Sequence, residues 1–169
     1  VIMLDAGHGG QDPGAVNADG TIRESALNLL LAQELQQELE KLGATVIMTR
    51  TDETEVTLEQ RTQMIREHLP DIFVSLHRNA SESEGATGYE NYYYYPFSKA
   101  LSDAIYNRSV NLLNGRGQYY YPFYVTRVTE CPAILTENGY VSTQTEAQQI
   151  ADPAFNRQLA QEITAGIVD

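Results

Sequence analysis

Short, wholly apolar runs alternate along this chain with longer stretches in which apolar residues return at helical spacing. Residues 1–4 are uniformly apolar and open into a glycine-rich loop, the pattern of a buried strand. Leu27, Leu31, Leu35 and Leu39 recur every fourth position within residues 24–42 and define one helical face. Gly43 stands where such a helix would be closed. Residues 44–48, rich in β-branched side chains, predict a second buried strand. Thr57 and Gln60 fit a capping box that opens a helix running to about Leu69, stopped by Pro70. Residues 72–76 predict a third strand and residues 89–95 a fourth, closed by Pro96. A helix near residues 97–113 follows and is broken by Gly115 and Gly117. Residues 121–126 and 133–136 read as further strands. Asp152 as N-cap and Pro153 at the first helical position start a last helix, whose buried face is Phe155, Leu159 and Ile163. Strands alternating with helices in this way predict an α/β sheet with helices on both faces.

The chain has 169 residues, one domain's worth, and that length buries roughly 70% of the unfolded surface. Its 23 acidic against 11 basic residues give a formal charge of −12. That balance argues against a nucleic-acid backbone or an anionic membrane as partner. A single cysteine, Cys131, rules out an internal disulfide framework, and no apolar run is long enough to span a bilayer. The chain opens directly into its first apolar run, without a charged leader. It reads as one domain, residues 1–169, excised from a longer precursor that carries any signal sequence.

In open α/β sheets, ligands bind beyond the carboxyl ends of the strands. The polar residues in those positions are therefore the candidates for chemistry. Asp5, Gly7, His8, Gly9 and Gly10 follow the first strand; His77, Arg78 and Asn79 follow the third; Glu137 follows the strand ending at Thr136. Two of the three histidines thus meet one sheet edge, while His68 lies near a helix end, where a cation suits the dipole. Imidazole with carboxylate is a common zinc shell, and catalytic zinc takes three protein ligands plus water. Glu24 would supply the third ligand from the first turn of its helix, a position where an acid also stabilises the helix N-terminus. His8, Glu24 and His77 are separated by 16 and 53 residues, too far for a zinc finger but suited to ligands drawn from separate strand ends. Glu137 is placed to act as general base, or to cap its strand or pair with an arginine. The glycine-rich segment fits neither a dinucleotide fingerprint, since Asp12 falls where the last glycine belongs, nor a P-loop, since it lacks Gly-Lys-Ser/Thr.

These residues form a recognisable set. The stretch from Asp5 through His8 to Ala15 resembles the opening motif of zinc-dependent N-acetylmuramoyl-L-alanine amidases, bacterial cell-wall hydrolases that include autolysins. Arg23-Glu24 with Asn28-Leu29 resembles that family's metal-binding helix start. Thr49-Arg50-Thr51-Asp52 with Leu58 and Arg61 resembles the next block, Ser75 through Ala80 the second histidine motif, and Pro132 through Ser142 the closing motif. The resemblance implies a mixed, mostly parallel sheet of about six strands. It also implies a single zinc held by His8, Glu24 and His77, with Glu137 as general base and acid. The implied substrate is peptidoglycan, cut between N-acetylmuramic acid and L-alanine, and the implied location is outside the cytoplasm. Ala6 stands where the family commonly has proline, and Arg78 and Asn138 replace residues that are often small or apolar. Arg78 and Asn79 are the candidate substrate contacts; Arg78 reads either as a bidentate partner for a stem-peptide carboxylate or as a solvated arginine beside the site.

Two other functions fit the same residues: a zinc peptidase acting within the stem peptide, and a wall-binding module without turnover. The chain has eleven tyrosines and no tryptophan, and seven of the tyrosines cluster at 92–95 and 119–121. Strand alternation assigns about half of each run to the core, and stacking on sugar faces is the other use. The charge gives no general attraction to an anionic wall, so wall attachment is expected from a separate module, and the domain is expected to act as a monomer.

Overall fold

The computed structural model describes all 169 residues. Six strands run β1 (Ile2–Ala6), β2 (Val46–Met48), β3 (Ile72–Asn79), β4 (Tyr89–Tyr93), β5 (Gly115–Tyr120) and β6 (Ala133–Tyr140). The helices are α1 (Glu24–Lys41), α2 (Leu58–His68), α3 (Lys99–Ser109), α4 (Gln144–Ala151) and α5 (Pro153–Val168). The strands form one sheet in the order β2-β1-β3-β6-β4-β5. The first four in that order are parallel, and β4 turns antiparallel against β6. The α/β class and the mixed, mostly parallel six-stranded sheet are as the sequence implies.

The two faces of the sheet are covered unequally. One face carries α1, α3, α4 and α5 over a core that includes Leu31, Leu35, Leu39, Ile105, Ile150, Leu159 and Ile163. The other carries α2, through Ile65, and the irregular segment around Val125, Val128 and Cys131. This lighter cover leaves room for a cleft on that side. The local codes act as read. Thr57 and Gln60 complete their reciprocal cap at α2, and the Asp152 side chain accepts the Ala154 amide at 2.9 Å to start α5.

Several expectations need correction. The strand expected at residues 121–126 lies earlier, at β5. Gly117, at φ +136°, lets the strand pass rather than ending it, and Pro122, with no N–H to give, stops it just beyond Tyr120. The third strand does not end at Leu76 but runs on to Asn79, and the strand expected at residues 133–136 runs on to Tyr140, so that Glu137 lies within it and not after it. Helix α4 was not expected at all; its Ala147 and Ile150 are buried against the body of the fold.

Candidate metal centre and its cleft

Three elements converge at the carboxyl edge of the sheet. His8 lies on the loop leaving β1, Glu24 is the first residue of α1, and His77 lies near the end of β3. One ligand atom from each falls within 4.8 Å of the others. Glu24 Oε1 sits 3.2 Å from His8 Nε2 and 3.0 Å from His77 Nδ1.

The chain invests in this convergence locally. His8 itself adopts φ +62°, a left-handed backbone that non-glycine residues rarely take. A side chain at Gly7 would sit 2.2 Å from the His77 ring, and one at Gly14 would sit 2.5 Å from Glu24 Oε2. Glycine at these two places is what lets the three ligands approach. The loop is held from beneath by two buried arginines. Arg50 donates to the Ala6, Gly7 and Ser25 carbonyls at 2.8, 3.0 and 2.8 Å. Arg61 donates to Ala6 O at 2.9 Å and His8 O at 2.8 Å and pairs with the buried Asp5. The start of α1 is clamped in turn, with the Glu24 amide on Ala15 O at 2.8 Å and the Ser25 amide on Pro13 O at 3.0 Å.

Outer partners orient His8 and Glu24. Asp12 Oδ2 lies 2.6 Å from His8 Nδ1, which leaves Nε2 facing Glu24. Glu24 accepts the Ala15 amide at 2.8 Å and the Arg78 amide at 3.1 Å. Asn28 bridges Gly7 O at 3.1 Å and Glu24 Oε1 at 3.4 Å. Such partners fix the tautomer and direction of metal-binding groups. Burial opposes charge on His8, but hydrogen bonding and attraction to Glu24, then to Asp12, raise its imidazole to about 9. Glu24, also opposed by burial, is held well below the usual carboxylate range by His77 and His8. The cluster's two imidazoles and one carboxylate match the donor set of a zinc-class ion.

Glu137 stands directly across from His77 in the β3–β6 register, so their side chains share a face. Its Oε2 is buried without a hydrogen-bond partner. Burial and the neighbouring Glu24 and Glu90 charges push its carboxyl well above the ordinary value. Both residues line a cavity of about 580 Å³, together with His8, Glu24, Asp12 and the apolar side chains of Val56, Leu58, Phe123, Val125 and Leu135. That size is typical of a ligand pocket.

The two expected substrate contacts are placed otherwise. With β3 extended by three residues, strand alternation sends Arg78 to the sheet face opposite His77. Its side chain is 2% exposed and donates to Asn138 O, Leu27 O and Asn156 Oδ1 at 2.8, 3.2 and 2.5 Å. It is an internal strut and cannot meet a stem peptide. Asn79 shares the face of His77, but its amide turns aside to Glu90 Oε2 at 3.3 Å. Three contributors escaped the sequence reading. Asp12 was signalled only by its place four residues after His8. Asn28 entered only as part of a motif. Glu90 was hidden within a tyrosine-rich run, and it is gripped by the Tyr92 and Tyr140 hydroxyls and Arg116 at 2.6, 3.0 and 2.8 Å.

With this geometry in view, the comparisons with known proteins point one way. The profile described as N-acetylmuramoyl-L-alanine amidase matches residues 2–169. A probable cell wall amidase, LytH of Staphylococcus aureus, is 40% identical over 98% of this chain; the chain spans 56% of that relative's length. Among solved structures, the catalytic domain of CwlV, an N-acetylmuramoyl-L-alanine amidase from Bacillus (Paenibacillus) polymyxa var. colistinus, superposes with a TM-score of 0.95. It is 35% identical, with 99% of this chain and 95% of that one covered. An N-acetylmuramoyl-L-alanine amidase from Clostridium difficile 630 gives a TM-score of 0.95 at 33% identity, covering 99% and 94%.

Proposed function

The chain belongs to the N-acetylmuramoyl-L-alanine amidase family, and from that premise we propose that it is a zinc-dependent hydrolase of peptidoglycan. The bond cut is the amide between the lactyl group of N-acetylmuramic acid and the L-alanine that begins the stem peptide. The observation that carries this reading is the convergence of His8, Glu24 and His77 within 4.8 Å, with Glu137 across the strand pair from His77. Those three residues would hold the ion. When bound, zinc supplies Lewis acidity, polarising the scissile carbonyl and acidifying the attacking water.

The remaining work falls to this chain's own side chains. Glu137, with a buried and unpartnered Oε2, accepts the proton of the attacking water and returns it to the departing amine of L-alanine. Its basicity is raised by burial and by Glu24 and Glu90, which makes it a stronger proton acceptor than an exposed glutamate. Asp12, Asn28 and the Arg78 amide hold His8 and Glu24 in place. Val56, Leu58, Phe123 and Leu135 give the cleft an apolar wall beside the reacting groups, where electrostatic interactions are stronger than in open water. Arg78 acts as a positioning residue, not a substrate contact.

We propose further that the domain works outside the cytoplasm as the catalytic part of a longer protein, with wall attachment supplied elsewhere. No helix here is long and apolar enough to cross a membrane. The deciding experiment is digestion of purified peptidoglycan followed by mass spectrometry of the new ends. Free lactyl groups with peptides beginning at L-alanine are expected. Cuts inside the stem peptide would assign a peptidase instead, and no cuts with retained wall binding would assign a binding module.

A further inference from the structure

Beside the cleft, on the same face of the sheet as Glu137, lies a cluster of aromatic rings that the hydrolysis itself does not use. The β4–β6 register places Glu90 opposite Glu137 and Tyr92 opposite Leu135, so Tyr92 lies on the catalytic face. The β4–β5 register sets Tyr119 beside Tyr92. The Tyr92 ring lies 5.5 Å from Tyr119, 6.3 Å from Tyr121 and 5.2 Å from Phe123, and Tyr121 lies 4.5 Å from Phe123. Tyr92 and Phe123 pack down onto the core, whereas Tyr119 is 44% and Tyr121 51% exposed. Phe123 belongs both to this cluster and to the wall of the cleft. The rings are therefore continuous with the place where the bond is cut.

The chemistry of the shelf is narrow. The Tyr92 hydroxyl is engaged by Glu90 at 2.6 Å and the Tyr119 hydroxyl by Arg116 O at 2.9 Å, so two of the three phenols are already committed to the protein. What remains for a ligand is ring surface. Uncharged aromatic faces beside a cleft suit a flat, neutral ring with apolar C–H edges, and a pyranose is such a ring. A substrate whose scissile amide hangs from a sugar must lay its sugar chain alongside the cleft, and this shelf borders it.

We propose that Tyr119 and Tyr121, backed by Tyr92 and Phe123, form a subsite for a sugar ring of the glycan strand next to the muramic acid whose amide is cut. The subsite rests on the amidase reading but is tested separately from turnover. The probe is peptide-free glycan strands of alternating N-acetylglucosamine and N-acetylmuramic acid, titrated into the intact domain by calorimetry and by NMR of the tyrosine ring protons. Binding is expected, with shifts at Tyr119 and Tyr121. The double variant Tyr119→Ala, Tyr121→Ala should weaken it roughly tenfold or more, the scale of lost ring stacking. The pair Tyr119→Phe, Tyr121→Phe should retain it, because the faces and not the hydroxyls make the contact. On peptidoglycan the alanine variant should raise KM while leaving kcat within about twofold, a split that general damage to the fold would not give.

Several results would overturn the subsite: no binding of the stripped strands, binding equally tight in the alanine variant, or equal loss in the phenylalanine variant. So would a dimer in sedimentation that the alanine substitutions dissolve while glycan binding stays unchanged, which would assign the shelf to a second copy. Amidase failure with intact strand binding would refute the catalytic reading and leave the subsite standing.

Discussion

Replacing Arg61 with methionine tests whether the loop carrying His8 is held by a buried ion pair. Arg61 and Asp5 have side chains only 4% and 1% exposed, and Arg61 also donates to the Ala6 and His8 carbonyls. The substitution leaves the Asp5 carboxylate buried with only the Thr49 and Ser75 hydroxyls, at 2.7 and 2.6 Å, and orphans His8 O. Ala6 O keeps Arg50 as donor, so the loss falls mainly on the two groups named. Removing one member of a buried pair costs about 3–5 kcal/mol. In a chain of this size each kcal/mol lowers Tm by roughly 2–4 °C, so a drop of roughly 6–20 °C is expected by scanning calorimetry. Zinc affinity, read by competition with a chromophoric chelator, should fall about 10–100-fold because the ligand loop loses its support. The double variant Asp5→Leu, Arg61→Met removes the stranded charge. It should regain much of the folding stability but not the zinc affinity. A fall in Tm under about 4 °C with unchanged zinc affinity would refute the argument, since the pair would then neither stabilise the fold nor hold the loop.

Glu137→Gln should keep fold and zinc content while lowering turnover about 10²–10⁴-fold, measured on purified peptidoglycan; activity within a few fold of the parent would mean another base. His77→Ala should lose stoichiometric zinc and, with it, the stabilisation of about 2.7 kcal/mol that zinc at 100 times its Kd gives the parent, as read in thermal melts with and without a chelator. Burial opposes the charge on Asp5, but Arg61, Ser75 and Thr49 outweigh it and hold the carboxyl below its ordinary value. A depressed carboxylate contributes stability that is present above the unfolded value, about 3.9, and lost as pH falls through the folded one. Urea melts between pH 5 and 2 should therefore show a steeper acid loss in the parent than in Asp5→Asn, and identical slopes would remove Asp5 from the cause. With a charge of −12 the domain gains no general attraction to an anionic wall, so wall pull-down should retain residues 1–169 poorly unless they are joined to the wall-attaching part proposed above; equal retention with and without it would defeat that expectation.

What could be read ahead of the structure divides along a physical line. Features written in neighbouring residues were legible: the Thr57–Gln60 cap, the Asp152–Pro153 helix start and the Leu27, Leu31, Leu35, Leu39 stripe each act within a turn or two of chain. So was the meeting of His8 and His77 at one edge, because parallel strands send their carboxyl ends to the same side. Side-chain direction late in a strand was not legible, because each added residue reverses it. Ending the third strand at Leu76 left Arg78 free to face a ligand, whereas pairing with β6 carries it on to Asn79 and turns Arg78 inward. That extension is not encoded in residues 77–79 themselves; it is imposed by β6, some sixty positions later. The same pairing sets His77 against Glu137 and, through β4, Glu137 against Glu90. The site thus depends on register more than on motif. A one-residue slip of β6 would keep every motif intact, yet it would swing Glu137 to the wrong face of the sheet and leave the cluster of His8, Glu24 and His77 without the carboxylate that now faces it.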